Sequence, residues 1–169
     1  SVPLAHIRAF REQGFYAATD TELFDAFDIL YPYDLWPLYE QTVQGKLPLS
    51  RLFDTFNFQE LSFRTEYNKL RCLENHDQAR AAALFPEEAQ LLAWTALSYF
   101  LKGTTLLYAG QEVCATHTPS LFEKEPIDWH AGRDISAYLA KLAAVKKQLP
   151  TEALFHLDTD DAQGIVCGS

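Results

Sequence analysis

The sequence is short of the residues that mark several common kinds of binding site. Its 169 residues include no methionine, three cysteines and seven glycines. Cys72, Cys114 and Cys167 are too widely spaced for a zinc motif or a disulfide framework. Free thiols are therefore expected, which favours a reducing compartment. The glycines never approach a G-x-G-x-x-G spacing, so the sequence predicts no dinucleotide-binding loop.

Basic side chains and long apolar runs are also scarce. The chain has 14 basic and 23 acidic side chains, which gives a formal net charge of −9 at pH 7. Because nucleic-acid binding requires clustered Lys and Arg against the phosphates, we expect no nucleic-acid partner. The longest apolar run, residues 91–101, is interrupted by Thr95 and Ser98. It is shorter than the roughly 20 residues that a transmembrane helix requires, so we expect no membrane partner.

Apolar residues make up 48% of the chain, enough for a hydrophobic core. The chain is nevertheless too short for a closed eight-fold β/α barrel, which typically needs about 250 residues. Apolar spacing and end signals predict helices over 4–10, 20–23, 35–43, 48–58, 86–102 and 135–149. Short β-prone segments predict strands over 27–31, 69–74 and 104–109, the last of them buried. Because strands alternate with helices, the predicted class is α/β with a parallel sheet covered by helices.

Polar residues follow two of the predicted strands. Residues 74–80 read Glu-Asn-His-Asp-Gln-Ala-Arg, and residues 108–112 read Tyr-Ala-Gly-Gln-Glu. Ligands bind at the carboxyl edge of parallel strands, and adjacent His and Asp side chains suit vicinal sugar hydroxyls. Each residue also has an ordinary structural interpretation, since Asp77 could cap the next helix and His76 could be a structural histidine. The residues alone therefore indicate only a polar cluster at a strand edge.

The segment 70–80, Leu-Arg-Cys-Leu-Glu-Asn-His-Asp-Gln-Ala-Arg, resembles the fourth signature region of the α-amylase superfamily, glycoside hydrolase family 13. In that family an Asn-His-Asp lies at the end of the seventh barrel strand. Residues 24–34 resemble the sixth strand, residues 103–112 the eighth strand, and residues 119–129 the loop that follows it. The four segments occur in the family's order and cover most of the chain.

The resemblance implies a partial (β/α)8 TIM barrel. Residues 1–150 would supply its sixth to eighth strands with their helices. Residues 151–169, which alternate weakly from Ala153 onward, would begin a C-terminal β-rich domain or tail. With only three strands, open sheet edges could lead to self-association.

The resemblance also implies a retaining α-glycosidase that hydrolyses α-glucosidic bonds in an α-linked oligosaccharide or polysaccharide. Such a reaction needs two carboxyl groups roughly 5 to 5.5 Å apart. A third carboxylate, here Asp77, would stabilise the transition state by bonding the 2-OH and 3-OH of the sugar, and His76 would donate to the same sugar. The other candidate substrate-binding residues are Asn75, Tyr108, Glu112 and Arg80, of which the last three could equally be structural, Arg80 by holding a carboxylate.

The family's nucleophilic Asp and acid Glu have no match in this sequence. We expect both to lie upstream of Ser1, in a longer parent protein, and the chain itself to be a truncated and inactive fragment. No cofactor is expected within the segment, and calcium in the parent is left open. Three alternatives remain: a transglycosylase or isomerase of the same superfamily, a non-catalytic carbohydrate-binding or scaffold relative, and an independent small α/β domain.

Overall fold

The computed structural model describes residues 2–150 and 153–169. The chain forms two compact units. The first unit comprises Ser1–Leu70 and Thr151–Ser169, and the second comprises Arg71–Pro150. Thr151 and Glu152, at the predicted boundary between the barrel part and the tail, lie outside the described residues. That predicted division stays a prediction.

Helices dominate both units. The elements in chain order are α1 (Leu4–Glu12), α2 (Asp20–Leu23), α3 (Trp36–Val43), α4 (Leu49–Ser62), β1 (Leu70–Arg71), α5 (Ala81–Leu84), α6 (Glu88–Phe100), β2 (Thr104–Thr105), a 3-10 helix (Gln111–Val113), α7 (Ser136–Lys146), β3 (Leu157–Asp160) and β4 (Ile165–Gly168). The six predicted helices all form. Of these, α4 continues four residues beyond its predicted end. Among the described residues, no helix is both long enough and apolar enough to cross a bilayer.

Local sequence explains the short helix α2. Its N-cap is Thr19, whose side chain accepts a hydrogen bond from the Glu22 backbone, while the Glu22 carboxylate accepts one from the Thr19 backbone at 2.7 Å. This reciprocal capping box satisfies two donors that a helix start otherwise leaves unpaired. The Thr19 N–H and, next, the Thr19 hydroxyl donate to the Glu22 carboxylate and lower its pKa.

The predicted strands are much shorter in the structure. In the segment 27–31 only Leu30 pairs, through an isolated parallel bridge to Lys69. The second and third predicted strands shrink to the two-residue strands β1 and β2, and β2 is exposed to half-buried rather than buried. The described residues form two two-stranded sheets, β1–β2 and β3–β4, so a partial barrel is not confirmed. A β-strand is stabilised by hydrogen bonds to the strands beside it. Each strand described here has a single neighbour, so the strands stay short.

The tail forms an antiparallel hairpin in which Leu157 pairs with Gly168 and Asp160 with Ile165. It packs on α4. The Asn57 side chain donates to the Leu157 carbonyl at 2.8 Å and accepts from the Leu157 N–H at 2.9 Å. Asp161 accepts from the N–H and hydroxyl of Ser50 at 2.9 and 2.6 Å, in the first turn of α4. The hairpin is therefore part of the first unit.

Each unit has its own apolar cluster. In the first unit Phe24, Leu30 and Tyr67 are buried together, with Phe63 packed against them. In the second unit the cluster joins α6 and α7 through Tyr99, Ile135, Leu139 and Leu142. Cys114, in the segment that follows β2, packs against this second cluster.

The first unit also contains a buried basic side chain. Lys69 is fully buried, and its ammonium group forms ion pairs with Asp20 and, at 2.8 Å, with Asp34. Gln59 of α4 donates to the same Asp34 carboxylate. Buried charges must be paired in this way because their transfer out of water is costly.

Candidate functional site

The segment 74–80 forms a tight turn directly after β1, in the second unit. Asn75 is fully buried at the start of the turn, and its side-chain carbonyl accepts a hydrogen bond from the Asp77 N–H at 2.8 Å. An Asn side chain that bonds the backbone two residues on substitutes for a backbone turn. Its amide group contacts Cys72 Sγ at 3.7 Å, and burial raises the pKa of that thiol to about 11. The Asn75 side chain therefore makes its contacts within this segment, to Asp77 and Cys72.

The turn leaves the next two side chains accessible. The side chains of His76 and Asp77 are 47% and 44% exposed. His76 Nε2 lies 3.5 Å from Asp77 Oδ2, so the imidazole and the carboxylate stand side by side. An accessible nitrogen and an accessible carboxylate at this spacing can bind two neighbouring hydroxyl groups at once.

The two ends of the turn are joined by a buried ion pair. Arg80 Nη1 donates to Glu74 Oε1 at 2.6 Å, and both side chains are 1% exposed. The other Glu74 oxygen accepts from the Ala81 N–H at 2.6 Å. Burial raises the pKa of Glu74, against the lowering influence of the Ala81 N–H and of Arg80. Arg80 is therefore used to hold a carboxylate, which is one of the two roles that the sequence suggested for it.

Arg80 also reaches the segment that follows β2. Its Nη1 donates to the Ala109 carbonyl at 2.9 Å, and its Nε donates to the His117 carbonyl at 3.0 Å. The guanidinium lies over the Tyr108 ring, 4.6 Å from the ring centroid, a cation–π geometry. The predicted residues Tyr108 and Arg80 are thus brought together.

The segment 108–112 turns sharply at Gly110, where φ is +96°. A Cβ atom at this position would lie 3.2 Å from Arg80 Nη2 and 3.2 Å from the Ile127 side chain, so a side chain here would be crowded as well as strained. The Gly110 N–H donates to Glu112 Oε2 at 2.8 Å, and the half-buried Glu112 carboxylate is thereby fixed to its own turn.

The carboxylates of the two segments have different surroundings. Glu74 is buried against Arg80, Glu112 is half-buried against Gly110, and Asp77 is nearly half exposed. Asp77 is therefore the carboxylate of this group that a dissolved ligand can reach directly. In the described ranges no cluster of three or more His, Cys, Asp or Glu side chains is arranged to hold a metal ion.

The connecting role of Arg80 was missed at the level of sequence. Arg80 ties the turn to the carbonyls of Ala109 and His117, which lie 29 and 37 residues further along the chain. No local pattern encodes such a contact. The only available signal was the presence of an acidic and a basic residue at the two ends of the Asn-His-Asp turn.

Several solved structures resemble this chain. An α-amylase from Lactobacillus plantarum matches 98% of it with 33% identity and a TM-score of 0.89, and 39% of that enzyme is covered. A noncanonic maltogenic α-amylase from Thermotoga neapolitana matches 91% of it with 25% identity and a TM-score of 0.72, and 38% of that enzyme is covered. A cyclic α-maltosyl-(1→6)-maltose hydrolase from Arthrobacter globiformis shares the fold over 80% of the chain, with 20% identity and a TM-score of 0.63.

No protein-family model matches the sequence, and a comparison with curated proteins gives no match. The chain spans less than two fifths of the solved amylases that it resembles. The Asn-His-Asp turn after β1, the Tyr-Ala-Gly-Gln-Glu turn after β2 and the likeness to these enzymes over nearly the whole chain agree with one another. This chain belongs to the α-amylase family, glycoside hydrolase family 13.

Proposed function

We propose that this chain is the C-terminal part of the catalytic (β/α)8 barrel of a retaining α-glycosidase, with residues 1–150 in the barrel and 151–169 beginning a β-rich module. The observation that carries the proposal is the accessible His76–Asp77 pair on the turn after β1. The named activities of the neighbouring structures, an α-amylase and a maltogenic α-amylase, support an α-linked glucan or oligosaccharide as the substrate.

Asp77 is the transition-state stabiliser in this proposal. Its carboxylate accepts hydrogen bonds from the 2-OH and 3-OH of the sugar whose glycosidic bond is cleaved. As the ring distorts and positive charge develops at the anomeric carbon, these hydroxyls become better donors and the bonds strengthen. His76, 3.5 Å away, donates to the same sugar. This role needs no cofactor held by the segment.

The remaining candidate residues either lie on the turn after β2 or support the turn after β1 that carries Asp77. Tyr108 and Glu112 stand on the turn after β2, and Tyr108 is held beneath the Arg80 guanidinium. Asn75 acts by shaping the turn that presents Asp77. A nucleophile and an acid must be supplied by the rest of the whole protein, since no carboxylate in this sequence matches the family's motifs for them. The isolated chain is therefore inactive.

The test compares the longest natural polypeptide that contains this sequence with its Asp77→Asn variant, using a maltooligosaccharide. The loss of hydrogen bonds that strengthen in the transition state should lower kcat/KM by about 100- to 1,000-fold, the equivalent of several kcal/mol. Asp54→Asn is the control, because Asp54 is an exposed residue of α4 in the first unit. Unchanged turnover in the Asp77→Asn protein would overturn the proposal, as would hydrolysis of an α-linked aryl glucoside by the 169-residue chain alone.

A further inference from the structure

We infer that Glu74 and Arg80 are positioning residues that hold the sugar-binding turn in one geometry and lock it to the two segments that follow β2. This inference rests on the role proposed above for Asp77. It concerns two side chains that are both buried and touch no substrate.

The ion pair joins the two ends of the turn. Glu74 lies three residues before Asp77 and Arg80 lies three residues after it. Their 2.6 Å ion pair closes the seven-residue segment at its base. Inside this closed segment the Asn75 side chain bonds the Asp77 N–H. The backbone that carries Asp77 is thus restrained from both sides and from within.

Arg80 is held from several directions. Besides Glu74, its guanidinium donates to the Ala109 carbonyl and the His117 carbonyl and stacks on the Tyr108 ring. A guanidinium presents donors in a rigid planar fork, so all of these contacts fix its orientation together. A lysine ammonium has the same charge but lacks that fork.

The Glu74–Arg80 pair acts on the geometry of the turn more than on the stability of the fold. A buried ion pair often stabilises a fold little, because desolvation of the two charges offsets their attraction. Its specific effect is on geometry. Hydrogen bonds that stabilise a transition state depend on sub-ångström placement, and a misplacement of about 1 Å can cost about 100-fold in rate. A displaced Asp77 loses transition-state bonds while the substrate still binds through its other contacts.

The experiment uses Arg80→Lys and Glu74→Gln, both of which preserve size and polarity. Asp34→Asn is the matched control, since it disturbs the buried ion pair of Lys69 in the first unit. The first measurement is amide hydrogen exchange in the 169-residue chain. We expect the amides of Asp77 and Ala81 to exchange at least about 10-fold faster in Arg80→Lys, because the turn opens locally, while amides of α7 are unchanged. The control should leave all of these amides unaffected.

The second measurement is the kinetics of the whole protein carrying the same variants. We expect kcat to fall by about 100-fold while KM stays within about 3-fold, because the displaced group acts in the transition state. Unchanged exchange at Asp77 would overturn the inference, and so would faster exchange with unchanged kcat. If Arg80→Lys does not fold, Glu74→Gln decides by the same two measurements. Because the exchange measurement needs no activity, it can succeed or fail independently of the Asp77→Asn test of the proposed function.

Discussion

Lys69 in the first unit and Arg80 in the second are both buried basic side chains, and their charges are neutralised differently. Lys69 of the first unit forms ion pairs with two carboxylates, Asp20 and Asp34, and lies 5.9 and 5.5 Å from the centroids of the Phe24 and Phe63 rings. In the second unit Arg80 forms an ion pair with one carboxylate. Its other contacts are hydrogen bonds to two backbone carbonyls and a cation–π contact with one aromatic ring.

The contacts of Lys69 and Arg80 show which part of the structure each charged side chain holds in place. Lys69 is a compact point charge with two carboxylate partners and one longer contact, 3.4 Å, to the Tyr31 carbonyl. The two carboxylates compensate its desolvation and hold side chains together beside an aromatic core. Arg80 has directional donors and takes neutral backbone acceptors from distant loops, so it fixes the path of the main chain. The first arrangement serves the stability of a core, and the second serves the geometry of a turn that carries exposed polar groups.

The largest expected effect is on stability, from Lys69→Met. Removal of this charge leaves two buried carboxylates without their cation, which should cost about 3–5 kcal/mol in the free energy of unfolding. Urea denaturation of the 169-residue chain measures it. Lys141→Met, at an exposed position of α7, should change stability by no more than about 0.5 kcal/mol. If Lys69→Met instead accelerates exchange of the Asp77 amide and leaves stability unchanged, the contrast between the two units is wrong.

A smaller loss is expected from Arg80→Met, and it should depend on pH. Burial already raises the pKa of Glu74, and loss of the arginine raises it further, so the carboxyl can take up a proton. A group whose pKa is raised on folding contributes stability at low pH that is lost as pH rises through the raised value. The variant should therefore lose about 2–3 kcal/mol near neutral pH and less near pH 5. An equal loss at both pH values, measured by urea denaturation, would contradict this reasoning.

The smallest change in stability is expected at the contact between the β3–β4 hairpin and α4. The Ser50 hydroxyl and N–H lower the pKa of Asp161, which is exposed. A group whose pKa is lowered on folding contributes stability above its ordinary pKa, and this is lost as pH falls through the lowered value. The melting temperature of the unmodified chain should therefore fall more than that of Asp161→Asn between about pH 6 and about pH 3. Asp54→Asn, on the same helix, should follow the unmodified chain.

Local sequence predicted six of the seven α-helices among the described residues because helix signals are short-range, and it missed only the four-residue α5. The capping box of Thr19 and Glu22 lies within four residues, and the predicted helix 135–149 contains the observed α7. The Asn-His-Asp segment was found from sequence through its resemblance to a family motif, and the structure adds that Asn75 bonds a backbone only two residues away.

The strands were predicted less well because pairing is not a local property. The segments 27–31 and 104–109 have β-prone sequences, yet only Leu30 and β2 pair among the described residues. The alternation of apolar residues and the composition indicate which residues suit a β-strand. The length of the strand is set by the backbone segment that lies beside it. The same reason applies to Asp161, whose contact with Ser50 spans 111 residues of sequence.

The sequence by itself determined six of the seven described α-helices, the Asn-His-Asp motif and the family, because each depends on residues within one or two turns of the chain or on the order of short motifs. Only the tertiary structure decided that Asn75 is buried while Asp77 is accessible, and that Arg80 joins the turn to Ala109 and His117. Burial and long-range hydrogen bonds arise when segments distant in sequence meet. The free energy of desolvation then selects which polar groups are paired inside and which remain in water.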